Sequence, residues 1–307
     1  MNRLVHLGNV LVDLVMTVPQ LPPRGGDVLA TSSRMMAGGG FNVMVAAARQ
    51  GMHVAHGGLH GTGPLGDLVR KQLDGAGIEL LQAVRTDQDT GYDVALVDAE
   101  GERTFVTSFG VEATLGRSDL ARITIKPGDF VYVSGYSLVQ RSSGPALAEW
   151  MRQLDAGVPV VVDPGPLVTD IAPDVLAATL RRAHWWSCNL REATLLTGRE
   201  DPAEAAVELV GRGCSGVVVR TGPDGCVLAT DVRNPVEVLG FRVSAVDTNG
   251  AGDAHVGAFI ACLARGLEPA EAARYANVAA ALAVTKPGPA TAPTATEIDD
   301  FLTRRAE

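Results

Sequence analysis

Basic charge is scarce in this 307-residue chain: 26 Lys plus Arg stand against 35 Asp plus Glu, a net charge of -9 at pH 7. With no block of cations to track a phosphate backbone, nucleic acid is excluded as an expected partner. Long apolar runs are missing too. The segment after Met1-Asn2-Arg3 is broken by His6, Asn9 and Asp13 before it could form a signal-peptide core, and no stretch is long enough to span a membrane. The expected setting is cytoplasmic, with no membrane partner. Cysteine is limited to Cys188, Cys214, Cys226 and Cys262, without CxxC spacing. That pattern excludes a zinc site or a disulfide framework and fits buried thiols in a reducing compartment.

What is present is core. With 46% hydrophobic and 20% charged residues, the chain can fold as one large α/β domain or as one domain with an insertion. Its most informative stretch is Val246-Asp247-Thr248-Asn249-Gly250-Ala251-Gly252-Asp253-Ala254. The apolar run 241–246 reads as a strand, and a helical pattern covers 251–264. A glycine-spaced turn at a helix start gathers free N–H groups and partial positive charge where an anion can approach the backbone. Asp253 in the first turn is either a helix-capping acid or a base placed to take a proton as a phosphoryl group arrives.

In chain order, a buried run from Leu4 continues through Gly8 to Asp13, which reads either as an acid at the carboxyl end of a parallel strand, gripping a polar ligand beside the crevice, or as a surface-loop acid. Gly38-Gly39-Gly40-Phe41-Asn42 precedes a helix over 43–50 that Gly51 stops; bare backbone and one amide suit hydroxyl groups, although Asn42 also reads as an N-cap. The segment 91–110 breaks the alternation with a hairpin pattern around Ala99-Glu100-Gly101-Glu102. Its partner strands are expected in 10–18 and 28–35, giving a small sheet that serves either as a lid or as a structural or dimer-forming sheet. Alternation resumes with strands at 130–134, 158–162, 185–188 and 216–220. Asn189 and Glu192, three apart at a helix start, read as a capping box or as ligands to hydrated Mg²⁺. An Ala-rich helix over 267–284 carries Asn277.

Three of these motifs, in this order and spacing, make the chain resemble the ribokinase (PfkB-type) carbohydrate kinases: the glycine run with Gly51, Asn189-Leu190-Arg191-Glu192, and Asp247 through Asp253. The likeness covers essentially the whole chain. It is nearest to a bacterial branch of uncharacterised sugar kinases, through Gly101-Glu102-Arg103-Thr104-Phe105, Ser134-Gly135-Tyr136 and Asp163-Pro164-Gly165-Pro166. The resemblance implies a three-layer α/β/α ribokinase-like fold in a single domain, 1–307, with a mostly parallel central sheet and a β lid from about 10–36 and 91–110.

It also implies an ATP-dependent, Mg²⁺-assisted kinase acting on a small sugar. Asp253 would be the general base, and the N–H groups of Gly250, Ala251 and Gly252 the anion hole. Asp13, Gly38, Gly39, Gly40 and Asn42 would hold substrate hydroxyls. Asn189 and Glu192 would help place Mg²⁺ through water, while Thr221, Gly222, Gly225, Asn277 and Ala280 line the nucleotide site. Many relatives hold a monovalent cation such as K⁺, whose neighbourhood here would be Asp247, Asn249 and Gly288, with Asn249 replacing the usual Thr.

Leu11 stands where ribose-specific relatives have Asn, and the glycine run is one residue shorter without its Lys, so ribose is disfavoured. Arg34 and Arg103 near the lid are the cations that could hold a substrate phosphate. The expected acceptor is an unphosphorylated sugar or a nucleoside, whose base would pack on Phe41, Phe105, Phe109 or Tyr136. A nucleoside kinase and a catalytically inactive sugar-binding relative are the alternatives, and a homodimer through the lid edges is the expected assembly.

Overall fold

The computed structural model describes residues 2–306. The strands are β1 (Arg3–Leu7), β2 (Val12–Thr17), β3 (Ser32–Ala37), β4 (His53–His56), β5 (Glu79–Leu80), β6 (Tyr92–Val97) and β7 (Arg103–Ser108). They continue with β8 (Phe130–Ser134), β9 (Val160–Asp163), β10 (Trp185–Asn189), β11 (Gly216–Arg220), β12 (Gly225–Ala229) and β13 (Val236–Leu239). The helices are α1 (Phe41–Arg49), α2 (Pro64–Gly75), α3 (Arg117–Leu120), α4 (Gly135–Leu138), α5 (Ser143–Gln153) and α6 (Pro173–Arg182). After them come α7 (Leu190–Thr197), α8 (Pro202–Gly211), α9 (Ala251–Ala264), α10 (Pro269–Ala283) and α11 (Ala295–Ala306).

Nine strands form the central sheet in the order β13-β12-β11-β10-β9-β8-β1-β4-β5, parallel from β11 to β5, with β12 and β13 antiparallel to their neighbours at one edge. The Val-rich runs of β8 to β11 suit strands buried on both faces. On one face Val5, Val131, Val162, Trp186, Val217 and Val219 pack against helices from α5 to α8. On the other, Leu4, Tyr132, Val161 and Val218 meet α1, α2, α9 and α10. Chain order runs outward from β1 in one direction and from β8 in the other, so the crevice at their carboxyl ends is a topological switch point.

A second sheet, β3-β2-β6-β7, pairs antiparallel except for the parallel β2–β6 contact. Period-two alternation gives it two distinct faces. Asp13, Val15 and Thr17 lie in register with Asp93, Ala95 and Val97 on one face; Met35, Leu14, Val94 and Val106 form a row on the other.

Two sequence expectations are corrected. Asp13 is not at the end of a central strand: β1 stops at Leu7, the chain turns through Gly8, and Asp13 is the second residue of β2 in the small sheet. The run 241–246 is not a strand either. The edge strand is β13, five residues earlier than expected at its start, and 241–246 is an irregular segment whose Val246 is 66% exposed. Without a partner strand, its apolar composition is insufficient for a ladder. The four cysteines are buried and unpaired, and no described helix is long and apolar enough to cross a membrane.

Candidate active site

The glycine run is fixed by what lies behind it. Gly38 donates to the Leu11 carbonyl (2.8 Å) and Gly40 to that of Asn9 (3.0 Å), seating the run on the β1–β2 connection. A Cβ on Gly38 would lie 1.7 Å from Asp13 Oδ1, and one on Gly40 would lie 2.0 Å from His6 Nε2. Only hydrogen fits at either position. Gly40 is the N-cap of α1, so Asn42 is not the cap. Its buried amide is thereby free to cross to another helix, and Nδ2 donates to Asp253 Oδ2 at 3.2 Å.

At the start of α9, Gly250 adopts a left-handed conformation with φ 76°, and a Cβ there would meet Pro289 O at 2.0 Å. The Ala251 N–H turns back to Thr248 O at 3.3 Å, whereas those of Gly250 and Gly252 have no acceptor among the described residues. Two of the three expected anion-hole donors are therefore open, and the third is weakly engaged. Asp253 sits within this turn. Burial pushes its carboxyl up to about 6, with Asp163 adding to the rise while Asn42 and Arg220 oppose it.

Asp13 is buried next to Asp93, a neighbour that the sequence reading missed. Desolvation, then the charges of Asp93 and Asp253, raise Asp13 to about 8; desolvation raises Asp93 to about 6. Burial and mutual repulsion of two neighbouring carboxyl groups favour retention of a proton. The signal available in sequence was the even spacing of Asp93 within the hairpin strand, but only the parallel β2–β6 register brings it to Asp13. A cavity of about 560 Å³ extends from Asp13 between the small sheet and residues 245–249, lined by Val15, Arg34, Ala95, Arg103 and Phe105 among others. Phe41 is not part of it: this ring is buried in the core under α1. Tyr136 borders the crevice, and its phenol is raised to about 12 by burial and by the charges of Asp253, Asp163, Asp93 and Glu192.

Asn189 and Glu192 form a closed reciprocal capping box. Glu192 accepts from Asn189 N (2.9 Å) and Nδ2 (2.8 Å), and Glu192 N donates to Asn189 Oδ1 (2.8 Å). Burial and the charge of Asp163 raise the Glu192 carboxyl to about 7, against the opposing pull of Arg220. Among the described residues no three His, Cys, Asp or Glu converge as a metal cluster. The acid excess here, Asp163, Glu192 and Asp253 around one guanidinium, fits a hydrated Mg²⁺ that takes most of its oxygens from water and phosphate.

Thr221 N donates to Gly225 O (2.8 Å) and closes the β11–β12 turn, while Gly222 opens it with φ 69°. Asn277 Nδ2 donates to Val238 O (2.9 Å) and Leu239 O (3.2 Å), so α10 is tied to β13, and Ala280 follows one turn later, half-buried. Asp247, Asn249 and Gly288 also meet. Asp247 accepts from Asn249 N (2.9 Å), from Gly288 N (3.0 Å) and from the Arg103 guanidinium. Burial would raise its pKa, but these donors hold it below the ordinary value.

A family model for pfkB family carbohydrate kinases matches residues 1–296. The chain is 31% identical to the uncharacterised sugar kinase YegV of Escherichia coli, over 95% of this chain and 91% of that protein. It is 32% identical to an ATP-dependent ribose-1-phosphate kinase of Halopiger xanaduensis, over 99% of both. The aminoimidazole riboside kinase of Salmonella enterica, solved with aminoimidazole riboside and an ATP analogue, superposes with a TM-score of 0.82 at 26% identity, covering 98% of this chain and 100% of that one. A mostly parallel sheet between helices, a smaller second sheet and the matched motifs agree on one conclusion: this chain belongs to the pfkB family of carbohydrate kinases, ATP-using phosphotransferases with a hydroxyl acceptor.

Proposed function

We propose that the protein transfers the γ-phosphoryl group of ATP to a hydroxyl of a small unphosphorylated sugar. The observation that carries this reading is the Asp253–Asn42 contact beside the unengaged N–H groups of Gly250 and Gly252. The acceptor oxygen attacks the γ-phosphorus as its proton passes to Asp253. The bond from phosphorus to the bridging oxygen breaks, and its electron pair leaves on ADP. A base with a pKa near the working pH serves this step well, and such a base adds about 10²–10⁴-fold. Gly250 and Gly252, with Ala251 between them, receive the transferring charge. When bound with ATP, Mg²⁺ would neutralise phosphate charge, placed through water by Asn189 and Glu192. Thr221, Gly222, Gly225, Asn277 and Ala280 form the adenosine side, with Asn277 and Gly225 acting by holding β13 in place.

Asp13, Asn42 and the backbone of Gly38 to Gly40 grip the acceptor hydroxyls beneath the small sheet, which acts as a lid belonging to the same single domain. A protonated member of the Asp13–Asp93 pair can donate to a hydroxyl while its partner accepts. Arg103 is committed to Asp247 and the acid pair repels phosphate, which favours an unphosphorylated acceptor. A nucleoside is the second reading, supported by the apolar row Val15-Ala95-Phe105 beyond the acids. A monovalent cation at Asp247 is left out, because both carboxylate oxygens already accept from N–H donors. Use of ATP fits the cytoplasm, and the outer row Met35-Leu14-Val94-Val106 suits a homodimer through the lid.

ADP release from MgATP, measured against pentoses, hexoses, nucleosides and ribose 1-phosphate, tests this reading. Stimulation by an unphosphorylated acceptor, abolished in Asp253→Asn, is expected. Turnover in that variant near the wild-type rate would sink the base assignment, and stimulation by ribose 1-phosphate alone would overturn the acceptor class.

A further inference from the structure

Arg220, the last residue of β11, is a buried cation that the reading above does not use. Its side chain is 13% exposed. Nη1 donates to Asp163 Oδ2 at 3.0 Å and to Ser187 Oγ at 2.7 Å, so one edge of the guanidinium is anchored to the ends of β9 and β10. Nη2 lies 3.9 Å from Glu192 Oε2, beyond hydrogen-bond reach. Among the described residues neither Nη2 nor Nε has a hydrogen-bond acceptor. These same atoms face the start of α9: a Cβ on Gly252 would lie 3.5 Å from Nη2, 3.6 Å from Cζ and 3.7 Å from Nε. The free edge of a fixed guanidinium thus packs against the turn that carries the open N–H groups.

We propose that Arg220 is a further catalytic residue for the phosphoryl transfer proposed above, its Nε–Nη2 edge supplying positive charge to the group in flight at Gly250–Gly252. The inference rests on that reading of the site. Arg220 takes and gives no proton in the step; the proton goes to Asp253 and the leaving electron pair to ADP. Asp163 and Ser187 hold the guanidinium flat, so no rearrangement is required as charge moves from the γ-phosphate to the departing oxygen. Asp163 also offsets the desolvation of a cation that cannot be neutralised by losing a proton. A guanidinium is suited to planar phosphate oxygens in a way that a lysine ammonium is not.

The test needs no acceptor. Affinity is measured for MgADP alone and for MgADP with aluminium fluoride, a mimic of the transferring phosphoryl group, on the full-length protein. Removing Arg220 alone leaves Asp163 and Glu192 without their cation, so Arg220→Met is paired with Arg220→Met/Asp163→Asn, which removes one acid with it, and with Arg220→Lys. The wild type should bind the fluoride complex more tightly than MgADP. Loss of about 100-fold or more of that gain in the double variant relative to Asp163→Asn alone, each gain taken against the same variant's own MgADP affinity, with partial retention in Arg220→Lys, is expected. Retention of the full gain in the folded double variant overturns the inference while leaving the proposed function standing. Absence of any gain in the wild type overturns both.

Discussion

His255 offers a quantitative test of the packing behind the site. It lies on α9 two residues after Asp253, is 2% exposed and stacks on Phe259. Burial, reinforced by the charge of Arg220, lowers its pKa from 6.5 to about 3. The imidazole must stay neutral in the folded state, whereas the unfolded chain takes up a proton below about pH 6.5. The unfolded state therefore binds more protons, and this group's contribution to stability is present above the unfolded pKa and lost as pH falls toward the folded one. At pH 5 an ordinary histidine is about thirtyfold protonated, a linkage of about 2 kcal/mol; at pH 7 it is about 0.2 kcal/mol.

Asp13, Glu192 and Asp253 have raised pKa values and shift stability in the opposite sense over the same range, so the total pH slope does not isolate His255. The difference between the wild type and His255→Phe does. Phe retains the flat ring and removes the titration, and its steric penalty is the same at both pH values. Urea unfolding at pH 7 and pH 5 should show the variant gaining about 2 kcal/mol on the wild type between them. A wild-type-minus-variant difference that is equal at the two pH values would refute the neutral buried histidine.

Gly38→Ala should raise the KM for the acceptor at least tenfold and leave nucleotide affinity nearly unaltered, because the added methyl displaces Asp13 rather than any residue at β13. Equal losses in both would remove Asp13 from the acceptor side. Wild-type turnover should be the same in K⁺ and in a bulky organic cation, since Arg103 already brings positive charge to Asp247. Arg103→Met should then become K⁺-stimulated; stimulation of the wild type would show that Arg103 does not fill that role.

The glycine run and the Gly250 turn are written in residue types that close approach or a left-handed conformation demands, so the sequence marked both places, while their proposed roles came from the family resemblance. Asp13 was found for a reason that proved wrong: it is an acid near a strand end in sequence, but it reaches the crevice from the lid sheet. The irregular segment 241–246 was misread because an apolar run looks the same whether or not a partner strand is available. Asp93, Asp163 and Arg220 were invisible as a group for a different reason. Each is one charged residue at the edge of a strand, and only the lateral order β9-β10-β11 and the β2–β6 register bring them to their partners.

Those late-appearing residues divide the crevice into two electrostatic halves. On the proposed acceptor side, Asp13 lies in register with Asp93, and burial favours retention of a proton there. In the proposed reading, that leaves a donor and an acceptor for hydroxyl groups and disfavours a second phosphate beside the acids. On the donor side, Asp163 and Glu192 flank the Arg220 guanidinium, and the cation keeps a free edge toward Gly252. Asp253 lies between the halves, tied to the acceptor side through Asn42 and raised in pKa by Asp163 from the other. The proposed acceptor deprotonation and phosphoryl stabilisation would thereby meet at one point, the first turn of α9. A side chain at Gly250 would strike Pro289, whereas a Cβ at Gly252 would lie in ordinary van der Waals contact beside Arg220.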